Sequence, residues 1–178
     1  ALSLAMSEPR GPIYMTLPRE VLAAPAAAGT IARAITPASM PGPDPDAAAA
    51  AADLLAGAKA PLIITTTIGR YPGAVTELTA LAEAFAIPVV AHWPRYLCFA
   101  SDHPLHAGFA PGPALANADA ILVVDSDVPW IPAIEGPAAG AKVVQLGIDP
   151  LYGDYPMRSF AADVVINSAP VAGLRALR

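Results

Sequence analysis

The chain has 178 residues, which is enough for one domain with a core of its own plus additional segments. Its 55% hydrophobic content includes 41 alanines, and its 13 glycines and 21 prolines fall short of the share typical of low-complexity chains. Ten basic and fifteen acidic residues give a net charge of −5 without any run of Lys or Arg, which argues against nucleic acid or an anionic membrane surface as a partner.

The first 43 residues contain two short predicted elements followed by a stretch from Ala24 onward with almost no periodic apolar pattern. Residues 1–8 are typical of the last turns of a helix, and residues 13–17 are predicted to form a short strand that ends at Pro18. Five prolines between residues 25 and 45 oppose both helix and central strand. Residues 24–43 are therefore predicted to be an extended interdomain linker.

A regular alternation of helices and strands begins at Asp44, which suits a helix N-cap followed by Pro45 at the first helical position. This helix is predicted to end at Ala56, before Gly57. Short apolar runs predict strands at 62–66, 88–91, 120–124, 142–146 and 163–166. Helices are predicted at 75–85, 114–117 and 171–177. The alternation indicates an α/β domain over 44–178 with a doubly wound parallel, Rossmann-like sheet of five to six strands, preceded by the linker.

Candidate ligand-binding residues follow the predicted strands, because ligands of such sheets lie beyond the carboxyl ends of the strands. Thr67 and Gly69 follow the first strand, where a helix N-terminus could hold a phosphate, although the glycine fingerprint of dinucleotide sites is missing. Asp125 and Asp127 follow the third strand, and Asp149 lies where an acidic side chain could bind ribose hydroxyls. For each of these turns, an ordinary capped turn remains the alternative.

Groupings typical of catalytic sites are missing from the sequence. His92, His103 and His106 share one loop with Cys98, but the spacing matches no common metal motif, so structural roles are favoured for the histidines. A single cysteine forms no internal disulfide and provides no second thiol for zinc, as expected in a reducing cytosol. The apolar runs are far shorter than a membrane span, so a soluble, cytoplasmic protein without a membrane partner is expected.

Two parts of the chain resemble thiamine-diphosphate-dependent enzymes. The segment GPIYMTLPREVLA, residues 11–23, resembles the end of the pyrimidine-binding domain of that family. The remainder is similar to the central domain of the acetolactate synthase, pyruvate oxidase and benzoylformate decarboxylase superfamily. The order of several short motifs carries this resemblance: 51–55, 62–64, 81–82, 87–90, 102–108, 118–124 and 148–149.

The resemblance implies that residues 1–23 are the tail of a pyrimidine-binding domain, that 24–43 are the linker and that 44–178 are the central domain. In the family, thiamine diphosphate and Mg²⁺ are held by the pyrimidine-binding and diphosphate-binding domains, whose motifs cannot be located in this sequence. The chain is therefore expected to bind neither by itself and to have no catalytic residues of its own. The implied partners are those missing domains, in a homo-oligomer that is a dimer or a tetramer.

Some members of the family carry FAD on the central domain. Asp149 matches their acidic residue near the adenosine, and residues 106–108, including Gly108, match a family loop. However, threonines replace the glycines after the first strand, and Ser126-Asp127-Val128 replaces a Gly-x-Arg motif. Two acids at that place are expected to repel an anionic dinucleotide, which makes FAD possible but disfavoured.

The main hypothesis is the mainly architectural central domain of an acetolactate-synthase-like carboligase or decarboxylase that acts on 2-oxo acids. The alternatives are a module of the same fold that binds FAD or an ADP-type nucleotide, with Thr67, Gly69, Gly108, Asp125, Asp127 and Asp149 at its site, and a pure subunit-contact scaffold.

Overall fold

A computed structural model describes residues 1–29, 33, 35–158 and 160–178. The chain divides into two compact units, residues 1–40 and residues 41–178. The second unit contains a single sheet of five parallel strands in the order β2-β1-β3-β4-β5. Its strands are β1 (Pro61–Thr65), β2 (Val89–Ala91), β3 (Ala120–Val124), β4 (Lys142–Gly147) and β5 (Val164–Asn167). The predicted doubly wound parallel fold is confirmed.

The chain order of the strands places β1 next to β3 in the centre of the sheet. Ile63 is paired with Leu122 in the ladder between these strands, and β3 is flanked on its other side by β4. All five residues of β3 are buried. This burial explains the uninterrupted apolar run in the sequence, because a central strand of a parallel sheet is covered on both faces.

Three helices cover one face of the sheet: α3 (Pro45–Gly57), α4 (Ala74–Phe85) and α6 (Pro170–Ala176). As predicted, Asp44 is the N-cap of α3, and its carboxylate accepts hydrogen bonds from the N–H groups of Asp46 and Ala47 at 3.0 and 2.9 Å. The opposite face is covered by the short helix α5 (Gly112–Leu115) and by loop residues Trp130 and Phe160. The connections from β3 to β4 and from β4 to β5 thus cross the sheet without a regular helix in their described residues.

Unit 1 contains two short helices, α1 (Leu2–Ala5) and α2 (Arg19–Ala23). The strand predicted at residues 13–17 is wrong, because the structure assigns no strand there. An apolar extended segment becomes a strand only when a neighbouring strand completes its hydrogen bonds, and the described residues of unit 1 provide none. Part of the predicted linker, residues 30–32 and 34, lies outside the described residues. No helix among the described residues combines the length and the apolar character that crossing a bilayer requires.

The apolar stripe of α4 anchors this helix to the sheet, so Leu78→Ala should destabilise the second unit. Leu78 is fully buried in the main core cluster, and a Leu→Ala change in a core costs about 2–5 kcal/mol. Urea denaturation followed by circular dichroism measures the loss. The control is Thr76→Ala on the exposed face of the same helix, which should change the free energy of unfolding by less than about 0.5 kcal/mol. Equal effects of the two substitutions would contradict this packing.

Candidate functional site at the carboxyl ends of the strands

The residues that follow β1 and β3 bond directly to each other. The hydroxyls of Thr66 and Ser126 lie 2.6 Å apart. The hydroxyl of Thr67 donates to the carboxylate of Asp125 at 2.6 Å, and the Thr67 N–H donates to the Asp125 carbonyl at 3.1 Å. Asp125 has a φ of +49°, a left-handed conformation that Asp tolerates better than most residues. These bonds connect the chain just beyond the carboxyl end of β1 to the chain just beyond the carboxyl end of β3.

Arg70 compensates the charge of Asp125. It lies in the single turn of 3₁₀ helix at Ile68–Arg70 that follows β1. Its Nε is 3.3 Å from one carboxylate oxygen and its Nη2 is 3.3 Å from the other, in a two-pronged arrangement. The Asp125 side chain is almost fully buried, whereas that of Arg70 is about one-third exposed.

Asp127 has a second set of partners. Its carboxylate forms an ion pair with Arg95 and accepts a hydrogen bond from the Tyr155 hydroxyl at 3.1 Å and one from the Val128 N–H at 3.0 Å. Burial acts to raise the pKa of Asp127, but Arg95 and these donors outweigh it and hold the pKa below its usual range. Burial and the charge of Asp127 raise the pKa of Tyr155. This carboxylate therefore remains ionised well into acid solution.

Arg158 approaches the same loop from the connection after β4. Its Nε donates to the Asp127 carbonyl at 3.1 Å, and its Nη2 donates to the Gln145 side-chain oxygen at 3.3 Å. The guanidinium lies 4.8 Å from the centroid of the Tyr152 ring and 5.1 Å from that of Phe160. Desolvation by burial lowers the pKa of Arg158. Beside it, Val128, Pro132, Pro156 and Met157 line an open apolar groove of about 580 Å³.

The structure brings only some of the predicted site residues together. Thr67, Asp125 and Asp127 meet between β1 and β3, whereas Gly69 packs against the backbone of Leu97. Gly108 has a φ of +91° and its carbonyl accepts from the Ala91 N–H beside β2. Asp149 accepts a hydrogen bond from the Gly153 N–H in its own turn. The contact of Asp149 thus lies within its own turn, whereas that of Gly108 reaches a residue of β2.

The arginines of this site were not predicted from the sequence. No basic cluster is present along the chain, yet Arg70, Arg95 and Arg158 all bond to residues 125–127. The repulsion of an anionic ligand by Asp125 and Asp127 stays a prediction, and the structure adds that each carboxylate is paired with a guanidinium. Arg70 lies in the turn that contains Gly69, so its place in the sequence could have indicated that it lies at the site. For Arg95 and Arg158, no local pattern indicated the contact.

The histidines and the cysteine have separate local partners. Nδ1 of His92 lies 3.2 Å from the Phe109 carbonyl oxygen, and Nε2 of His103 lies 3.2 Å from Glu83. Nδ1 of His106 accepts from the Gly108 N–H at 3.2 Å. Burial raises the pKa of the Cys98 thiol, which donates to the Thr66 carbonyl. Within the described ranges, no group of three or more His, Cys, Asp or Glu side chains could hold a metal ion.

A five-stranded parallel sheet with polar strand ends defines the chain as an α/β domain of the doubly wound class. Comparison with known proteins gives its family. The family model described as "Thiamine pyrophosphate enzyme, central domain" matches residues 48–166, so the chain belongs to the thiamine pyrophosphate enzymes and contains their central domain.

The curated relatives include an oxalyl-CoA decarboxylase from Escherichia coli (strain K12), 33% identical over 84% of this chain and 28% of its own length. A 2-hydroxyacyl-CoA lyase 1 from Dictyostelium discoideum is 30% identical over 74% of this chain and 23% of its own length. The chain thus spans less than a third of these relatives.

Solved structures confirm the fold. A Mycobacterium smegmatis structure described as that of a thiamin diphosphate-dependent enzyme superposes with a TM-score of 0.79 over 98% of this chain and 34% of its own, at 24% identity. Benzoylformate decarboxylase from Polynucleobacter necessarius gives a TM-score of 0.72 over 97% of this chain and 33% of its own, also at 24% identity.

The ion pair of Asp127 predicts a pH-dependent effect of Asp127→Asn. A lowered folded-state pKa contributes stability that is present above the unfolded pKa of about 3.9 and is lost as the pH falls through the folded pKa. Since Arg95 is more than half exposed, Asp127→Asn should cost only about 1 kcal/mol at pH 7.

Urea denaturation between pH 2 and pH 7 should show this cost decrease toward the acid end, as the wild-type carboxylate takes up its proton. The control is Asp102→Asn. Asp102 is exposed, and its carboxylate forms no ion pair with any of the described residues. A cost that is the same at every pH would show that the ion pair is not its source.

Proposed function

We propose that this chain is the architectural central domain, with adjoining segments, of a thiamine-diphosphate-dependent enzyme that cleaves a carbon–carbon bond next to an acyl-CoA thioester. The supporting structural observation is the surface of residues 1–40. None of the described residues in this segment is buried as a whole, and several large apolar ones are strongly exposed, including Leu2, Leu4, Tyr14, Val21 and Leu22. An exposed apolar surface of this kind marks a contact with another domain, and a pyrimidine-binding domain of the same polypeptide would bury it.

The domain boundaries follow from this proposal. Residues 1–23 are assigned to the pyrimidine-binding domain, residues 24–43 to the linker and residues 44–178 to the central domain. Thiamine diphosphate and Mg²⁺ are bound by the two other domains of a homo-oligomer. The carbon chemistry belongs to the thiamine when it is bound, and the central domain holds the flanking domains at their working separation.

The names of the curated relatives favour CoA thioesters as substrates. Oxalyl-CoA decarboxylase and 2-hydroxyacyl-CoA lyase are 33% and 30% identical to this chain. The acetolactate-synthase-like specificity expected from the sequence is therefore the second candidate, and one assay separates the two. The whole protein that contains this chain, supplied with thiamine diphosphate and Mg²⁺, should release CO₂ from oxalyl-CoA or cleave a 2-hydroxyacyl-CoA. Acetolactate formed from pyruvate, without turnover of either thioester, would reverse the order of the candidates.

The 178-residue chain alone should be inactive in that assay, because the proposal places the thiamine-activating and diphosphate-binding groups outside it. Product formation above a no-protein control, measured by liquid chromatography, is the test. Turnover by the isolated chain that is lost when one of its own residues is changed would refute the architectural role.

The assignment of residues 1–23 predicts that Tyr14→Ser acts differently in the chain and in the whole protein. Tyr14 is 92% exposed, so in the 178-residue chain the substitution should change the free energy of unfolding by less than about 0.5 kcal/mol. In the whole protein, where the flanking domain would cover this ring, the loss should be about 2 kcal/mol or more. Thermal denaturation of both forms measures the difference, with exposed Thr76→Ala as the control. Small effects in both forms would contradict the assignment.

A further inference from the structure

The segment of residues 92–99, here called the crossing segment, lies directly against the end of β1. The His92 N–H donates to the Thr65 carbonyl at 2.9 Å, and the Arg95 N–H donates to the Thr66 carbonyl at 3.1 Å. The Cys98 thiol donates to the same Thr66 carbonyl at 3.2 Å. The last carbonyls of β1 are thus bound by the chain itself.

The crossing segment also fills the space over Gly69. A Cβ built at this glycine would lie 2.3 Å from the Leu97 carbonyl oxygen and 2.9 Å from Cβ of Tyr96. In nucleotide-binding sheets, a glycine after the first strand lets the pyrophosphate approach the backbone. Here the Leu97 carbonyl oxygen, rather than a phosphate, lies close to the glycine backbone. Its partial negative charge would repel a phosphate in addition to occupying its place.

Two buried side chains fix the crossing segment in position. Cys98 and Phe99 are 1% and 3% exposed and belong to the main core cluster. The Phe99 ring contacts His103 edge-on, with 4.8 Å between ring centroids. Residues 93–97 are exposed, but the segment is held at both ends by the buried His92, Cys98 and Phe99. Lifting it would return an aromatic ring to water.

The guanidinium groups near the crevice are already engaged. Arg95 extends from the crossing segment to Asp127, and Arg70 binds both carboxylate oxygens of Asp125. A phosphate would have to compete with these internal carboxylates for either arginine. The two internal carboxylates therefore neutralise the guanidinium groups of Arg70 and Arg95, which an anionic ligand would otherwise neutralise.

We infer that the crossing segment occupies the crevice outside β1 and β3, so that this central domain keeps the strand order of nucleotide-binding folds but is closed to FAD and to adenine nucleotides. The strands β1 and β3 flank the point where the chain order of the sheet reverses, which is the usual ligand position in such folds. The residues present do not fit the flavin that the family resemblance offers. This inference does not depend on the reaction of the parent enzyme.

The test compares Gly69→Ala with Gly136→Ala in the 178-residue chain. Both glycines lie outside the left-handed region, but a Cβ at Gly136 meets nothing within 4 Å. Gly69→Ala should lower the Tm by at least about 4 °C and should accelerate amide exchange at residues 92 and 95, because the added methyl displaces the crossing segment. Gly136→Ala should leave both quantities unchanged. Equal Tm values for the two variants would overturn the inference.

Wild-type measurements keep the inference testable if Gly69→Ala fails to fold. The amides of His92 and Arg95 should exchange as slowly as those of the β1–β3 ladder, and excess FAD or ADP should leave the Tm and the visible absorbance of the repurified chain unchanged. Fast exchange of these two amides would overturn the inference, as would a Tm increase with either nucleotide. None of these readouts involves catalysis, so they are independent of whether the proposed enzymatic function holds.

Discussion

All five strands of a parallel sheet end at the same edge, and their last backbone groups lie beyond the reach of the ladder. Each of these groups needs a hydrogen-bond partner, because an unpaired backbone group in a buried place costs free energy comparable to a lost hydrogen bond. In many folds of this type, loops and a bound ligand together provide these hydrogen-bond partners. Here the chain provides partners itself: the His92 N–H continues the β1–β2 ladder to the Thr65 carbonyl, the Arg95 N–H binds the Thr66 carbonyl, and Arg158 binds the loop after β3.

The charges at this edge follow from the same requirement. Asp125 and Asp127 accept hydrogen bonds that fix the loop after β3, and burial of their carboxylates requires cations close by. Arg70 and Arg95 come from two different loops, so each pair also ties its own loop to the residues after β3. The result is an edge whose carboxylates and guanidinium groups are paired with one another, which fits the proposed architectural role.

Local sequence patterns predicted the elements whose formation depends only on residues adjacent in the chain. The N-cap at Asp44 and the buried strand at 120–124 were predicted correctly because a cap and an apolar run each require only adjacent residues. The strand at 13–17 was wrong because a strand also needs a partner.

At the site, the position of Asp125 and Asp127 at a strand end was predictable, and the place of Arg70 in the turn after β1 was a signal for its contact with Asp125. The partner of Asp127 was not predictable, because Arg95 is 32 residues away and the contact depends on a loop path that no local pattern encodes. The crossing segment was missed for the same reason, because its loop has no periodicity that indicates where it lies.

The pairing of β1 with β3 joins parts of the chain that are far apart in sequence. At the amino ends of these strands, Asp119 accepts hydrogen bonds from the N–H groups of Lys59 and Ala60, which are 60 and 59 residues away in sequence. Closing a loop of this length costs entropy before any central contact compensates for it. The β1–β2 pair closes a shorter loop, because β2 lies between β1 and β3 in the chain, so the central pair carries the larger entropic cost of the two.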